Sequence, residues 1–302
     1  MTPRIELLKT RDFGEIISDT FLFIRQNLKP LVSCFFIFCG FFLIAATVTS
    51  ILQQIKVLSL FNGGFDTAGP TRPLIGSSRF FANFGIEYFL SILFLWLNYI
   101  TITATVYSYI SLYREKGNVA PTVAEVWGYI KYFFLRLFGS SFVLGLLLIA
   151  ATILCIIPGV YLYPIIALMF PVMVFENASL GYAFNKSFKL IKDNWWVTFG
   201  CLFVMGLIVY FAVSIFVVPL TLLNVGSMFI HRSNGMHLSV TLTVLTVVVQ
   251  HLCQIFYIMP LVTVSLCYFN LSERTDGTGL LNRISQLGNN VEGDNAAPTE
   301  EY

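Results

Sequence analysis

Between Glu176 and Gly200 apolar and polar positions alternate with a helical period. Leu180, Phe184, Phe188, Ile191 and Trp195 recur at spacings of three and four, while Asn185, Lys186, Lys189, Lys192 and Asp193 fill the other side. The pattern predicts an amphipathic helix over 179–195, lying in a membrane interface. Two other stretches read the same way. Phe13, Ile16, Ile17, Phe21, Ile24 and Leu28 mark one face over 13–29, opposite Glu15, Asp19, Arg25, Gln26 and Lys29. Val123, Val126, Trp127, Ile130, Phe134 and Phe138 mark another, on a helix predicted over 122–136, with Lys131 and Arg136 opposite.

Each of these precedes a run apolar enough to cross a bilayer core, which takes about 20 helical residues. Six spans are predicted, at 31–55, 86–113, 137–157, 160–175, 197–223 and 237–269. The breakers Gly63, Gly64, Gly69, Pro70, Pro73 and Gly76 predict that 56–85 is the longest loop. Pro158 and Gly159 predict a tight reversal between the third and fourth spans. Pro164 and Pro171 predict a kink or tilt in the fourth, and Pro260 an interruption of the sixth. Residues 1–12 form a polar N-terminus, and 271–302 have the composition of a disordered tail. The expected fold is an all-α integral membrane domain over 13–270, with six transmembrane helices and three interfacial ones. Shifts of 110 and 167 residues carry Phe13, Ile17, Ile24 and Leu28 onto Val123, Trp127, Phe134 and Phe138, then onto Leu180, Phe184, Ile191 and Trp195. That points to a three-fold internal repeat, each unit one interfacial helix and two spans.

Composition agrees: 57% of the 302 residues are hydrophobic and 11% charged, against about 25% charged in soluble domains. A net charge of +2 argues against a nucleic-acid partner. Fourteen Lys and Arg fall on the side of the interfacial helices and four (Lys56, Arg72, Arg79, Arg232) on the other, so the positive-inside rule makes both termini cytoplasmic. The six cysteines lie in apolar runs, as small buried hydrophobes do, and no removed signal peptide is expected.

The stretches 13–31 (FGEIISDTFLFIRQNLKPL), 157–162 (IPGVYL) and 175–196 (FENASLGYAFNKSFKLIKDNWW) resemble a bacterial family of six-helix membrane proteins. That family is related to the membrane domain attached to some glycerophosphodiester phosphodiesterases. Pro158, Gly159, Glu176, Ser187 and Trp195 sit where the family's pattern places them. The resemblance spans residues 13 to 270 and implies a multi-pass protein of the bacterial inner membrane. The catalytic barrel that gives the family its name is absent, so phosphodiesterase activity does not carry over.

Candidate chemistry is sparse. His251, with Gln250 and Gln254 nearby and Asn98 as a partner from the second span, makes an intramembrane polar cluster, read first as a tie between helices and second as a transport site. Lys186, Lys189 and Lys192 are placed to attract anionic lipid headgroups. Glu176 is expected to cap the third interfacial helix or pair with Lys186, and Trp195 to anchor at the interface. His231 and His237 read as loop residues. No nucleotide-binding, zinc-protease or hydrolase motif is present, and no cofactor or metal is expected. The leading expectation is a non-enzymatic scaffold or accessory subunit that binds lipid or another membrane protein. The alternative is a transporter of a small solute or lipid, with a midplane site around His251.

Overall fold

The computed structural model describes residues 4–67, 85–230 and 238–277, and every regular element among them is a helix. In chain order these are α1 (Phe13–Thr67), α2 (Ile86–Glu115), α3 (Val123–Leu154), α4 (Ile156–Phe175), α5 (Leu180–Ile191), α6 (Trp195–Ile230), α7 (Val240–Leu252) and α8 (Ile258–Asp276). A 3-10 turn, Cys253–Tyr257, joins the last two. Six stretches are long and apolar enough to cross a membrane: Phe13–Ser59, α2, α3, α4, Trp195–Ser227 and Val240–Asp276. This is a multi-pass membrane architecture.

Prolines set the breaks, but from a distance. A proline lacks the N–H that would bond four residues back, and its ring crowds that residue's carbonyl, so the disturbance falls upstream. In α1 it falls at Asn27 (φ −113°, ψ 15°), ahead of Pro30. The sixth span passes through its 3-10 turn ahead of Pro260, not at the proline itself as the sequence suggested. The reversal expected at Pro158 and Gly159 lies instead at Cys155, which is extended at φ −167° and ψ 142°. Pro158 occupies the first turn of α4, where a missing N–H is no loss. Gly159 serves the packing of α3 against α4, because a Cβ there would clash with Thr152, 3.2 Å from its Cα. Pro164 and Pro171 lie within α4.

Other boundaries also shift. Residues 56–67, expected to open a loop, continue α1 with Gly63 and Gly64 inside it; a helical glycine costs only about 1 kcal/mol. Of the amphipathic stretches only the third is a helix by itself, α5. The first joins its span across Asn27, and the second runs unbroken into the third span within α3. α8 outlasts its expected end, with Leu271, Ser272 and Glu273 buried. The polar N-terminus buries Ile5, Leu7 and Arg11. Expectations for 68–84, for 231–237 with His231, Arg232 and His237, and for the tail from 278 lie outside the described residues.

α2, α4 and α8 form the interior. Ile100–Tyr113 and Leu261–Glu273 are buried without exception, and α4 is buried from Pro164 to Phe175 except at Ala167 and Phe170. The most apolar stretches of α2, α4 and the α7–α8 span are 50, 50 and 61% buried, against 33, 22 and 22% for α1, α3 and α6. The second span of each successive pair is therefore inside and the first outside. The three inner helices converge on Phe175, whose ring lies 5.9 Å from Tyr107 and 4.9 Å from Phe269.

The amphipathic stretches are buried at corresponding positions. Ile16, Thr20, Phe23 and Asn27 face inward, as do Val126, Ile130, Phe133 and Leu137, and then Ala183, Ser187 and Leu190. Shifts of 110 and 167 residues relate these positions. The most apolar stripe is not the buried edge: Phe13, Phe21, Leu28, Trp127 and Phe184 are all exposed beside it.

Candidate functional site

Two polar regions stand out from the apolar bundle, one at each end. The first runs along the meeting line of α1, α2 and α7. At its rim Lys56 Nζ lies 3.1 Å from Glu87 Oε2. Gly85, which caps α2, makes room for this pair, since a Cβ there would clash with both side chains. Four residues on, Ser91 Oγ lies 3.0 Å from Ser50 Oγ, which in turn lies 3.3 Å from His251 Nε2. His251 Nδ1 lies 2.8 Å from the Val247 carbonyl. A carbonyl can only accept, so Nδ1 carries the proton of the neutral ring and Nε2 accepts from Ser50. Deeper along the line Asn98 Nδ2 donates to Gln254 Oε1, while Asn98 Oδ1 is buried without a partner.

The four residues expected to gather thus form two small groups. Asn98 and Gln254 bond to each other, His251 belongs to the serine pair near the Lys56 end instead of the middle of its span, and Gln250 is exposed. Val247, His251 and Gln254 follow one edge of α7 and its 3-10 turn, and Gln250 lies at the exposed margin of that edge.

The opposite end is tied more densely, around a residue that sequence reasoning passed over. The Arg11 side chain is 1% exposed, and its Nε donates to Asp19 Oδ2 at 2.7 Å. Its other nitrogens donate to the carbonyls of Leu7 (2.9 Å), Lys9 (3.1 Å) and Glu6. Its backbone N–H donates to Asn270 Oδ1 at 2.8 Å, and its carbonyl accepts from Arg274 at 3.0 Å. The segment before α1 is therefore fastened to the end of α8. Nothing in the local pattern marks Arg11, because its partners lie up to 263 residues away.

α5 is fastened at this end. Lys186 pairs with Asp276 at 3.0 Å, and Asn194, just past the helix, accepts from Arg274 at 3.3 Å. α5 and the turn that follows it are therefore tied to the end of α8 at two points. Burial pulls the Lys186 pKa down, but the bond to Asp276 and the charges of Glu176 and Asp276 outweigh it, leaving the pKa above its ordinary 10.5. Lys189 and Lys192 are exposed; of the three lysines expected to meet headgroups, Lys186 is already engaged.

Glu176 does not cap α5. Ser179 does, its side chain accepting from the Tyr182 N–H. Glu176 ends α4 and accepts from the hydroxyls of Tyr268, at 2.7 Å, and Tyr182, whose pKa that bond raises. Trp195 stacks between Tyr161 and Phe199, at 5.6 and 5.0 Å, and its Nε1 donates to the Tyr161 carbonyl at 3.1 Å.

A cleft of about 550 Å³ opens nearby between the ends of α2 and α4 and the start of α3. In it Tyr129 donates to Glu115 at 2.6 Å and Arg136 to Asn177 at 2.7 Å. Its charges are met by neighbours within the chain. Among the described residues no three His, Cys, Asp or Glu side chains come together as a metal site. The arrangement can tie helices together and present cations and aromatic rings at a surface; the acids and hydroxyls in it bond one another.

No family model, curated protein or solved structure matches the chain. Of the residues singled out in the sequence, Gly159 packs against α3, Glu176 and Trp195 join neighbouring helices, and Ser187 is buried on the inner face of α5.

Proposed function

We propose that this chain is a non-enzymatic protein of the bacterial inner membrane, related to that six-helix family, and that it serves as a scaffold or accessory subunit that binds lipid, held at its cytoplasmic side, or another membrane protein. The observation that carries the reading is the division of α5 into three sectors. Ala183, Ser187 and Leu190 face protein, Leu180, Phe184 and Phe188 form an apolar flank, and Lys189 and Lys192 are exposed beyond it. A helix at the boundary of protein, hydrocarbon and water needs all three. Its two ties to the end of α8 suit that placement. The first amphipathic stretch and the start of α3 repeat the inner edge and the apolar flank, which favours three repeated units in one orientation. The fourteen cations on this side favour cytoplasmic termini.

Native mass spectrometry of the full chain, extracted gently from its own membrane, tests the proposal. Retained anionic phospholipid or a reproducible protein partner is the expected result. A protein that carries neither overturns it.

A second reading, transport of a small solute, is favoured by one observation: the buried, unpartnered Asn98 Oδ1 on the polar line of α1, α2 and α7. Leucine at both His251 and Gln254 would abolish uptake by a transporter and leave a scaffold's retained lipid unchanged.

A further inference from the structure

A groove of about 910 Å³ lies between α1 and α3, apart from both polar regions. Its floor is Ile130 and Thr101, both buried, and the Thr101 hydroxyl is committed to the Leu97 carbonyl at 2.8 Å. The floor therefore offers no free polar group. One wall is Phe38 stacked on Trp127, with ring centroids 5.5 Å apart and planes 8° from parallel. The lips, Phe41 and Leu135, are 71 and 76% exposed, so the trough opens sideways from the bundle, where a membrane protein meets hydrocarbon.

One charge interrupts this apolar lining. Lys131 stands on the lip with its ammonium 5.5 Å from the Trp127 ring centroid. Helical side chains lean toward the N-terminus, here the cytoplasmic end on the proposed orientation, so the long stem lies along the trough and its cation sits at the mouth. A soluble anion has no use for the aromatic wall, and an uncharged hydrocarbon has none for the lysine. A molecule with both a chain and an anionic head uses both. The volume lies within the range of about 300–1,000 Å³ usual for small-molecule sites.

We infer that an anionic glycerophospholipid occupies this groove, one acyl chain against Phe38 and Trp127 and its phosphate at Lys131. The inference rests on the lipid-holding reading above and names the site and the class of lipid.

The test uses the full-length protein in vesicles containing phosphatidylglycerol with a photoactivatable acyl chain, and in parallel the matching phosphatidylcholine. Crosslinked peptides are mapped for the wild type and Lys131→Gln. Crosslinks on 37–42 and 123–135 are expected. They should favour phosphatidylglycerol about fivefold, the worth of one lysine beside an anionic headgroup, and Lys131→Gln should remove the preference while leaving the crosslinked positions unchanged. Equal labelling by both lipids in the wild-type groove overturns the anionic assignment. Lipid retained on native extraction but crosslinked only elsewhere overturns the site and spares the broader reading. A protein that retains no lipid overturns the inference, and one that retains no protein partner either overturns the broader reading with it.

Discussion

Arg11 is a guanidinium enclosed by three carbonyls and a carboxylate, so removing it leaves several acceptors without a donor. Arg11→Ala should cost about 3 kcal/mol, the lower end for breaking a buried pair, because Asp19 keeps some contact with water. The readouts are a lower melting temperature in detergent and faster proteolysis of residues 1–12. An unchanged melting temperature would mean that the segment before α1 is not fastened as described. Prolines and glycines were legible as punctuation and misread in position. Pro158 and Pro260 each announce a break, but Pro158 serves the first turn of the helix that follows and Pro260 disturbs the turn before it, so the breaks fall at Cys155 and Cys253–Tyr257; the break at Asn27 ahead of Pro30 was not read at all. Gly159 carries no local sign that its reason is a neighbouring helix.

Among the elements, α5 gives a prediction with a definite sign. The Lys186 pKa is raised in the folded protein, so its pairing stabilises fully below the ordinary lysine value of 10.5 and is lost as pH climbs through the raised value. Wild type should lose its margin over Lys186→Met only above about pH 10.5, followed as the difference in melting temperature between pH 7 and 11. A margin that shrinks near neutral pH would contradict the pairing. The α3–α4 hairpin gives another. Its tip exposes Ile153, Leu154, Ile156 and Ile157, each by more than 70%, around Cys155. A tip this apolar lies against lipid, and maleimides react with a thiolate in contact with water, so neither a permeant nor a charged maleimide should label Cys155 before the protein is denatured; the other five cysteines are buried. Labelling by the charged reagent would place the tip in water. The apolar stripes of the amphipathic stretches were legible because their residues recur at helical spacing. Their protein-facing edges were not, since Thr20, Ser187 and Asn27 are polar residues turned inward.

Across the whole molecule, three inner helices stand within three outer ones. The sequence held a sign of this that periodicity does not register: the inner three are the less hydrophobic of the six. Helices that face protein can spend positions on Thr and Ser, whose hydroxyls bond the preceding turn, as Thr103, Thr105 and Ser265 do, and on Tyr, whose hydroxyl reaches another helix, as Tyr109 and Tyr268 do. A tryptophan at Ile215, on the exposed face of α6, should leave the yield of monodisperse protein unchanged, and one at Ser265 in α8 should abolish it. Equal tolerance would argue against the nested arrangement.

The enclosure of α8 also bears on how the protein is made. Its buried face is the last part of the described bundle to leave the ribosome, yet α2, synthesised far earlier, packs against it. Until α8 arrives, the nascent chain holds its Thr- and Tyr-bearing helix beside an open seam in the bilayer. Chains cut short before Leu261 should therefore be recognised as incomplete by membrane quality control, however well their outer helices have inserted.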